Sequence, residues 1–397
     1  MNPSVRISRS QLVPFAALSA SYFAHIGFFN PYLPLWLQDQ GLSIFAISLL
    51  TSVQASTRLI APYGWGWLSD HTGERVKLLR YSATVSLLIS AGLWLDGGLL
   101  WLAAVLFFMF MHTSAMMPMS EAAMAHLVSS SGTFDAKRYG RVRLWGSFGF
   151  LLTVLLAGVW FEHFGMRHFP AWTVLSLLAV TVSVWLMPDL KESVSAHAVK
   201  RAILPILKKP AVRWLFVSVF FHVLSHMGVY VFFSLYLDEL GYSKTVIGLM
   251  WGVSVVVEIL WFFNQSRWLP RLSLSAWLVL CAAVMVVRMA ITASNASVWP
   301  LLLVAQAMHA LTFAAHHSAC IALLSHHFPG SLRGRGQALY TVLGYGFPGV
   351  LGGLAGGALS TRFGLVSVFW ATLATSIVAT ACAAQVWRIH HSAKSTA

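Results

Sequence analysis

Twelve stretches of this chain are long and apolar enough to cross a lipid bilayer, and that count constrains the fold more than any motif. A spanning helix needs about 20 mostly apolar residues. Such runs lie near residues 11–37, 44–68, 77–95, 99–128, 140–161 and 168–187, then near 212–237, 244–266, 274–293, 298–326, 336–360 and 364–387. Hydrocarbon offers backbone amides no water, so each run must close its own hydrogen bonds as a helix. Only 10% of the residues are charged and 58% are hydrophobic, where a soluble domain carries about 25% charged residues. The predicted fold class is all-α integral membrane, with twelve transmembrane helices.

The longest polar stretch, Pro188 to Pro210, falls between the sixth and seventh runs. It predicts an N-terminal six-helix bundle (1–188), a cytoplasmic linker (189–211) and a C-terminal six-helix bundle (212–397). A weak internal repeat agrees: the fifth run leads to "HFG" at Gly165 and the eleventh to "RFG" at Gly364. Two pseudo-symmetric halves of six are expected of duplicated transporters, with the substrate site at their interface.

The formal net charge is +14. A nucleic-acid binder gathers its bases on one polar face, whereas here they are spread through short loops, which excludes nucleic acid as a partner. With both termini cytoplasmic, about twenty of the 26 Lys and Arg fall on the inner side, and the outer loops hold only Arg167, Lys244 and Arg362. That is the positive-inside bias, and it predicts a multi-pass protein of a bacterial-type inner membrane. The first run, Gln11 to Leu37, is too long for a signal h-region and reads as a retained helix. Cys281, Cys320 and Cys382 each sit inside an apolar run without C-x-x-C spacing, so neither a disulfide nor a metal site is expected. There is no Walker loop and no enzyme motif, so neither ATP nor another cofactor is expected to drive the protein.

Between the second and third runs stands "GWLSDHTGERVK". Gly66 lets backbones approach, Asp70 accepts hydrogen bonds at a helix end, Gly73 permits a tight turn, and Arg75 is free to pair across a domain interface. The stretch resembles the cytoplasmic loop signature of the major facilitator superfamily, although His71 and Glu74 stand where that pattern has basic residues. The first run, "YFAHIGFFNPYLPLWLQDQG", resembles the first helix of one branch of that superfamily, the branch holding lactose permease and the 3-phenylpropionate permeases. "MPMSEAA", "YGRVRLWGS", "VVVEILWF", "VVRMAITAS" and "QAMHALTF" resemble its fourth, fifth, eighth, ninth and tenth helices. The resemblance covers nearly the whole chain and is closest to the phenylpropionate permeases. It implies the major facilitator fold and a permease working by alternating access.

A charge at mid-membrane costs several kcal/mol unless it is paired or wetted, so each one needs a reason. Glu121 and Arg143 lie about eleven positions to either side of a turn near Gly132, hence at equal depth on antiparallel helices. They can pair with each other, and by the resemblance they are candidates for substrate binding. Phe150, two turns beyond Arg143 on the same face, stands where lactose permease has a sugar-stacking tryptophan. Arg58 and Arg288 complete the intramembrane bases. Three arginines against Glu121 and Glu258 suit an anionic solute. For the coupling proton, Glu258 is the first candidate and His309 the second, with His317 on the same face as His309. The positions aligned with the tenth helix of lactose permease read Gln306, His309 and Thr312. His222 and His226, four apart, have the spacing of a metal-chelating pair, but no third ligand is apparent, and they are expected to line the cavity.

The expected function is proton-coupled symport of a small organic acid, an aromatic acid such as 3-phenylpropionate being favoured by the resemblance and by the arginine excess. The proton gradient supplies the driving force, and a monomer is expected. The alternatives are a sugar or nucleoside symporter, a drug efflux carrier, and a membrane sensor that binds a solute without moving it.

Overall fold

The structure, a computed structural model, describes residues 9–128, 136–189, 203–329 and 332–395; within these ranges the side chains of 9–11, 122, 125–128, 136–141, 143, 333 and 393–395 lie outside the description. All regular structure among the described residues is helical. Among the described residues, twelve helices are long and apolar enough to cross a membrane. In order, spans 1 to 6 are Leu12–Asp39, Ile44–Thr72, Arg75–Trp94, Gly98–Glu121, Leu144–Phe164 and Met166–Trp185. Spans 7 to 12 are Pro210–Glu239, Lys244–Arg271, Leu274–Asn295, Trp299–His327, Gly334–Phe363 and Val366–Ser392.

The fourth run, read from sequence as one stretch over 99–128, is two helical pieces, Gly98–Thr113 and Met116–Val128. Pro118 explains the break. It has no N–H to give the carbonyl four residues earlier, at Ser114, and its ring crowds that carbonyl. Span 1 keeps its helix through Pro14, Pro31 and Pro34. Side chains from span 5 serve its neighbourhood: Thr153 Oγ1 donates to the Ala24 carbonyl at 2.7 Å, and Tyr32 Oη returns a bond to the Val154 carbonyl at 3.1 Å.

By packing, the chain divides into two compact units, Met1–Asp39 with Thr57–Ala196, and Gln40–Ser56 with His197–Ala397. In the first unit, span 1 packs on spans 5 and 6, and span 3 packs on spans 4 and 6. Its core is aromatic: Phe28, Phe29, Phe161 and Phe169 are fully buried, and Trp36 stacks on Phe169 with ring centres 5.1 Å apart. His25 is buried in the same core and meets Ser176 Oγ at 2.9 Å through Nδ1.

In the second unit, span 12 packs against spans 7 and 9, and span 11 against span 7. Leu215, Val219, Leu278, Ala319, Ala383 and Val386 are among its buried core residues, with Cys281 and Cys320 filling small volumes there as free thiols. The sequence division at 189–211 places residues 40–56 with the first bundle, whereas by packing they join the second unit. The reason is a strip of small residues. Gly353 and Gly357 lie against Ser52 and Ser48, leaving no room for a Cβ, and Ser52 Oγ donates to the Val350 carbonyl at 3.3 Å. Such strips let helices approach closely where lipid provides no hydrophobic drive to associate.

A side chain at this strip is expected to cost stability. Gly357→Val overpacks the contact with Ser48 and should lower stability by about 1–3 kcal/mol, read as a lowered apparent Tm of the purified protein. Gly66→Ala is the control, because nothing lies within 4 Å of a Cβ built there. Equal melting of the two variants contradicts the packing account.

Candidate functional site

The second unit holds the more complete polar cluster, and it is centred on Arg288 of span 9. Its side chain is wholly buried, at 0% exposure. A guanidinium has only donors, and here they reach three neutral groups on span 10. Nη1 donates to His309 Nδ1 at 3.1 Å and to Thr312 Oγ1 at 2.9 Å, and Nη2 donates to Gln306 Oε1 at 3.2 Å. Ser254 Oγ on span 8 donates to the same Gln306 oxygen at 3.0 Å. The Arg288 Nε group has no hydrogen-bond partner, and no carboxylate pairs directly with Arg288 among the described residues.

The contact with Arg288 fixes the His309 tautomer. Because Nδ1 must accept from the guanidinium, the ring proton sits on Nε2, which points at Glu258 Oε2 across 3.7 Å. Glu258, His309 and Arg288 therefore form a line, with the imidazole between acid and base. The sequence candidates Glu258, His309 and Arg288 are brought together. His317 is set one stage further off. Phe313 stacks between the two histidines, 5.0 Å from His309 and 6.1 Å from His317, with near-parallel rings. His317 Nδ1 meets Tyr340 Oη at 3.2 Å, and Tyr340 meets Tyr345 at 3.3 Å.

Three short π-helical stretches surround this cluster: Gly228–Phe232, Ala310–Ala315 and Val342–Gly346. A π turn widens the helix and shifts the hydrogen-bond ladder, and such turns recur at functional sites. The stretch in span 10 runs between His309 and His316 and contains Thr312, whose carbonyl accepts from His222 Nε2 at 2.7 Å. His222 stacks on His316 at 3.6 Å, and His226 lies 5.3 Å from His222 and stacks on Tyr230. His222 Nδ1 and His226 Nε2 are buried without partners. No group of three His, Cys, Asp or Glu among the described residues gathers as a metal would require. Sequence reasoning missed Tyr230, Trp251, Ser254, His316, Tyr340 and Tyr345, which carry no charge to stand out in an apolar run.

In the first unit, Arg58 of span 2 and Glu121 at the end of span 4 are both half-buried. Tyr22 of span 1 lies within electrostatic reach of each. Phe150 is half-buried where span 5 meets span 1, its carbonyl 2.6 Å from where a Cβ on Gly27 would stand. The side chain of Arg143, and the turn near Gly132, lie outside the described residues, and with them the Glu121–Arg143 pairing.

The loop motif holds an internal ion pair. Arg75 Nη2 donates to Asp70 Oδ1 at 2.7 Å, and Gly73, at φ +68°, makes the turn that brings them together. Lys77 pairs with Glu74 at 3.1 Å. Gly66 does not serve a close backbone approach, contrary to expectation, because the space beside it is open.

Among the described residues, twelve apolar spans with polar clusters set inside them make a membrane-embedded helical protein with a polar interior. A sequence profile of the MFS_1 like family matches residues 17–371, and the chain belongs to that family of major facilitator transporters. It is 27% identical over 336 residues to the "Probable 3-phenylpropionic acid transporter" of Escherichia coli (strain K12), covering 82% of this chain and 85% of that one. It is 24% identical over 354 residues to the "Maltose permease" of Geobacillus stearothermophilus, covering 87% of each. Among solved structures, the nucleoside transporter NupG matches with a TM-score of 0.78 at 12% identity, covering 95% of this chain and 99% of that one. A D-xylose-proton symporter matches with a TM-score of 0.71 at 14% identity, covering 95% and 96%. The protein is a multi-pass secondary transporter of the major facilitator fold.

Proposed function

We propose that the protein is a proton-coupled symporter of a small organic acid in a bacterial inner membrane, working by alternating access, with an aromatic acid such as 3-phenylpropionate as the best candidate. The observation that carries this reading is Arg288: a buried guanidinium whose hydrogen bonds all go to neutral groups. A cation held that way in low dielectric is stabilised by an anion that arrives, and a substrate carboxylate supplies one. Glu258, reached through His309, is then the natural carrier of the proton. Substrate and proton together neutralise what either alone leaves charged, which is the linkage that symport requires.

The aromatic class draws support from two sources. The Escherichia coli relative carries a phenylpropionic acid name. Two stacked pairs, Tyr230 with Trp251 and His309 with Phe313, make this part of the second unit aromatic, and aromatic surroundings of that kind favour a ring-bearing solute through edge and offset contacts. In the first unit, Arg58, Glu121, Arg143 and Phe150 are proposed to contact solute, and Asp70, Gly73 and Arg75 to govern the conformational cycle.

The test of substrate class is uptake by purified protein in liposomes, offered labelled aryl carboxylates, sugars, nucleosides and lipophilic amines in turn. Uptake of aryl carboxylates alone is expected. Saturable uptake of a sugar or nucleoside alone refutes the organic-acid reading, and specific binding without flux assigns a sensor instead. Arg58→Gln is expected to lose carboxylate uptake; unchanged kinetics removes Arg58 from the solute path.

A further inference from the structure

A cavity lies at the start of span 9, away from Arg288, at one end of the second unit. It has a volume of about 480 Å³ and is walled by four elements. The turn between spans 8 and 9 supplies Leu269, Pro270, Leu272 and Ser273. Span 9 adds its first residues, Leu274 and Ser275, and the ends of spans 10 and 12 add Leu323, His326, Trp387, His390 and His391. The walls are thus mostly apolar, and the polar groups are three imidazoles and two serine hydroxyls.

The surroundings are rich in imidazoles and poor in acids. His327 lies against both His326 and His390, with ring centres 5.3 and 5.6 Å apart, and Trp387 stacks on His391 at 5.3 Å. Arg271 sits over the Trp268 ring at 4.2 Å beside the cavity wall. The second unit contains only three acids, Asp238, Glu239 and Glu258. The first two close the far end of span 7, and Glu258 is thirteen residues up span 8 from Arg271, or about 20 Å at 1.5 Å per residue. The start of span 9, capped by Ser273 Oγ accepting from the Ala276 amide, adds the positive end of a 22-residue helix to one wall.

We propose that this cavity binds an anionic phospholipid of the leaflet it opens to. The headgroup phosphate lies among His326, His390, His391 and the start of span 9. The acyl chains leave along Leu269, Leu272, Leu323 and Trp387. The imidazole N–H donors, the Arg271 guanidinium beside the wall and the start of span 9 select the anionic headgroup, and the apolar walls select a lipid over a free anion. Leu272 and Trp387 are exposed on the outer surface of the unit, 43% and 39%, where lipid chains lie. In the orientation with both termini cytoplasmic, the cavity faces the leaflet that carries the anionic lipids, and basic pockets between helices on that side suit such headgroups.

The test is lipid retention. The full chain is reconstituted in bilayers of equal phosphatidylglycerol and phosphatidylethanolamine, extracted in mild detergent, and its bound lipids are counted by native mass spectrometry. The wild type is expected to keep about one phosphatidylglycerol per chain, enriched several-fold over phosphatidylethanolamine. The combined variant His326→Asn, His390→Asn, His391→Asn is expected to keep the two in their bulk ratio. Arg335→Gln, a charge lost at the same end outside the cavity, is expected to behave as wild type. Trp387→Ala alters the wall while leaving the histidines, and is expected to lose the enrichment even if the histidine variant fails to fold. Retention of both lipids in bulk ratio by the wild type overturns the proposal, as does undiminished enrichment in Trp387→Ala or in a folded histidine variant. Displacement of the lipid by millimolar inorganic phosphate also overturns it, because the site would then be read by a free anion.

Discussion

Arg288→Gln is expected to lower kcat/KM for carboxylate uptake by about 10- to 100-fold, the factor that corresponds to a hydrogen bond with a charged partner, about 1.5–3 kcal/mol. The loss should fall mainly on substrate affinity. Glutamine cannot neutralise a carboxylate, but it can still bond some of Gln306, His309 and Thr312, so the helices that now meet around Arg288 have reason to stay together. Arg288→Lys separates charge from geometry. Its ammonium is a compact point charge that cannot hold a planar fork toward three acceptors, and intermediate activity is expected. A fall in apparent Tm with unchanged KM for both variants assigns Arg288 a structural role and removes the anion site.

Glu258→Gln is expected to abolish uphill accumulation while leaving solute exchange within about twofold of the wild type. The amide keeps the size of the carboxyl and can accept from His309 Nε2, now 3.7 Å from Glu258 Oε2, but it carries no proton across the membrane. One coupled proton supports up to about tenfold accumulation per unit of ΔpH, since 1.36 kcal/mol is one pH unit. The variant should therefore show no accumulation above that of protein-free liposomes, whatever the ΔpH. His309→Gln serves as the comparison. It leaves Glu258 in place but removes the imidazole between acid and guanidinium, so exchange as well as accumulation should weaken. Normal accumulation by Glu258→Gln removes Glu258 from proton coupling.

The spans were legible because a bilayer imposes one rule on every residue within it, and a run of about 20 apolar residues is the trace of that rule. Where a second rule acts, the reading slipped. Pro118 split the fourth run, and the Gly353–Gly357 strip drew residues 40–56 into the second unit. Charges in apolar runs also stood out, which is why Glu258, Arg288 and His309 were found. Their arrangement was not legible. Gln306, His309 and Thr312 were singled out by alignment with a relative's tenth helix, yet nothing in their spacing says that all three turn to Arg288. The π stretch at Ala310–Ala315 shifts that register, and a run of small and apolar residues carries no sign of it. Arg75 pairs with Asp70 five residues away across the turn that the positive φ of Gly73 makes, a contact that the spacing alone does not announce.

The proposed symport requires that the carboxylate solute and protons cross together. Liposomes holding an internal pH dye and the purified protein, with membrane potential clamped, measure both at once when 3-phenylpropionate is added outside. Protein-free liposomes give the rate at which undissociated acid leaks. The account predicts that wild type acidifies the interior well above that rate in step with solute entry, and that Glu258→Gln exchanges solute without acidification. Protein-dependent solute entry with no acidification beyond the leak, under the same clamp, contradicts it.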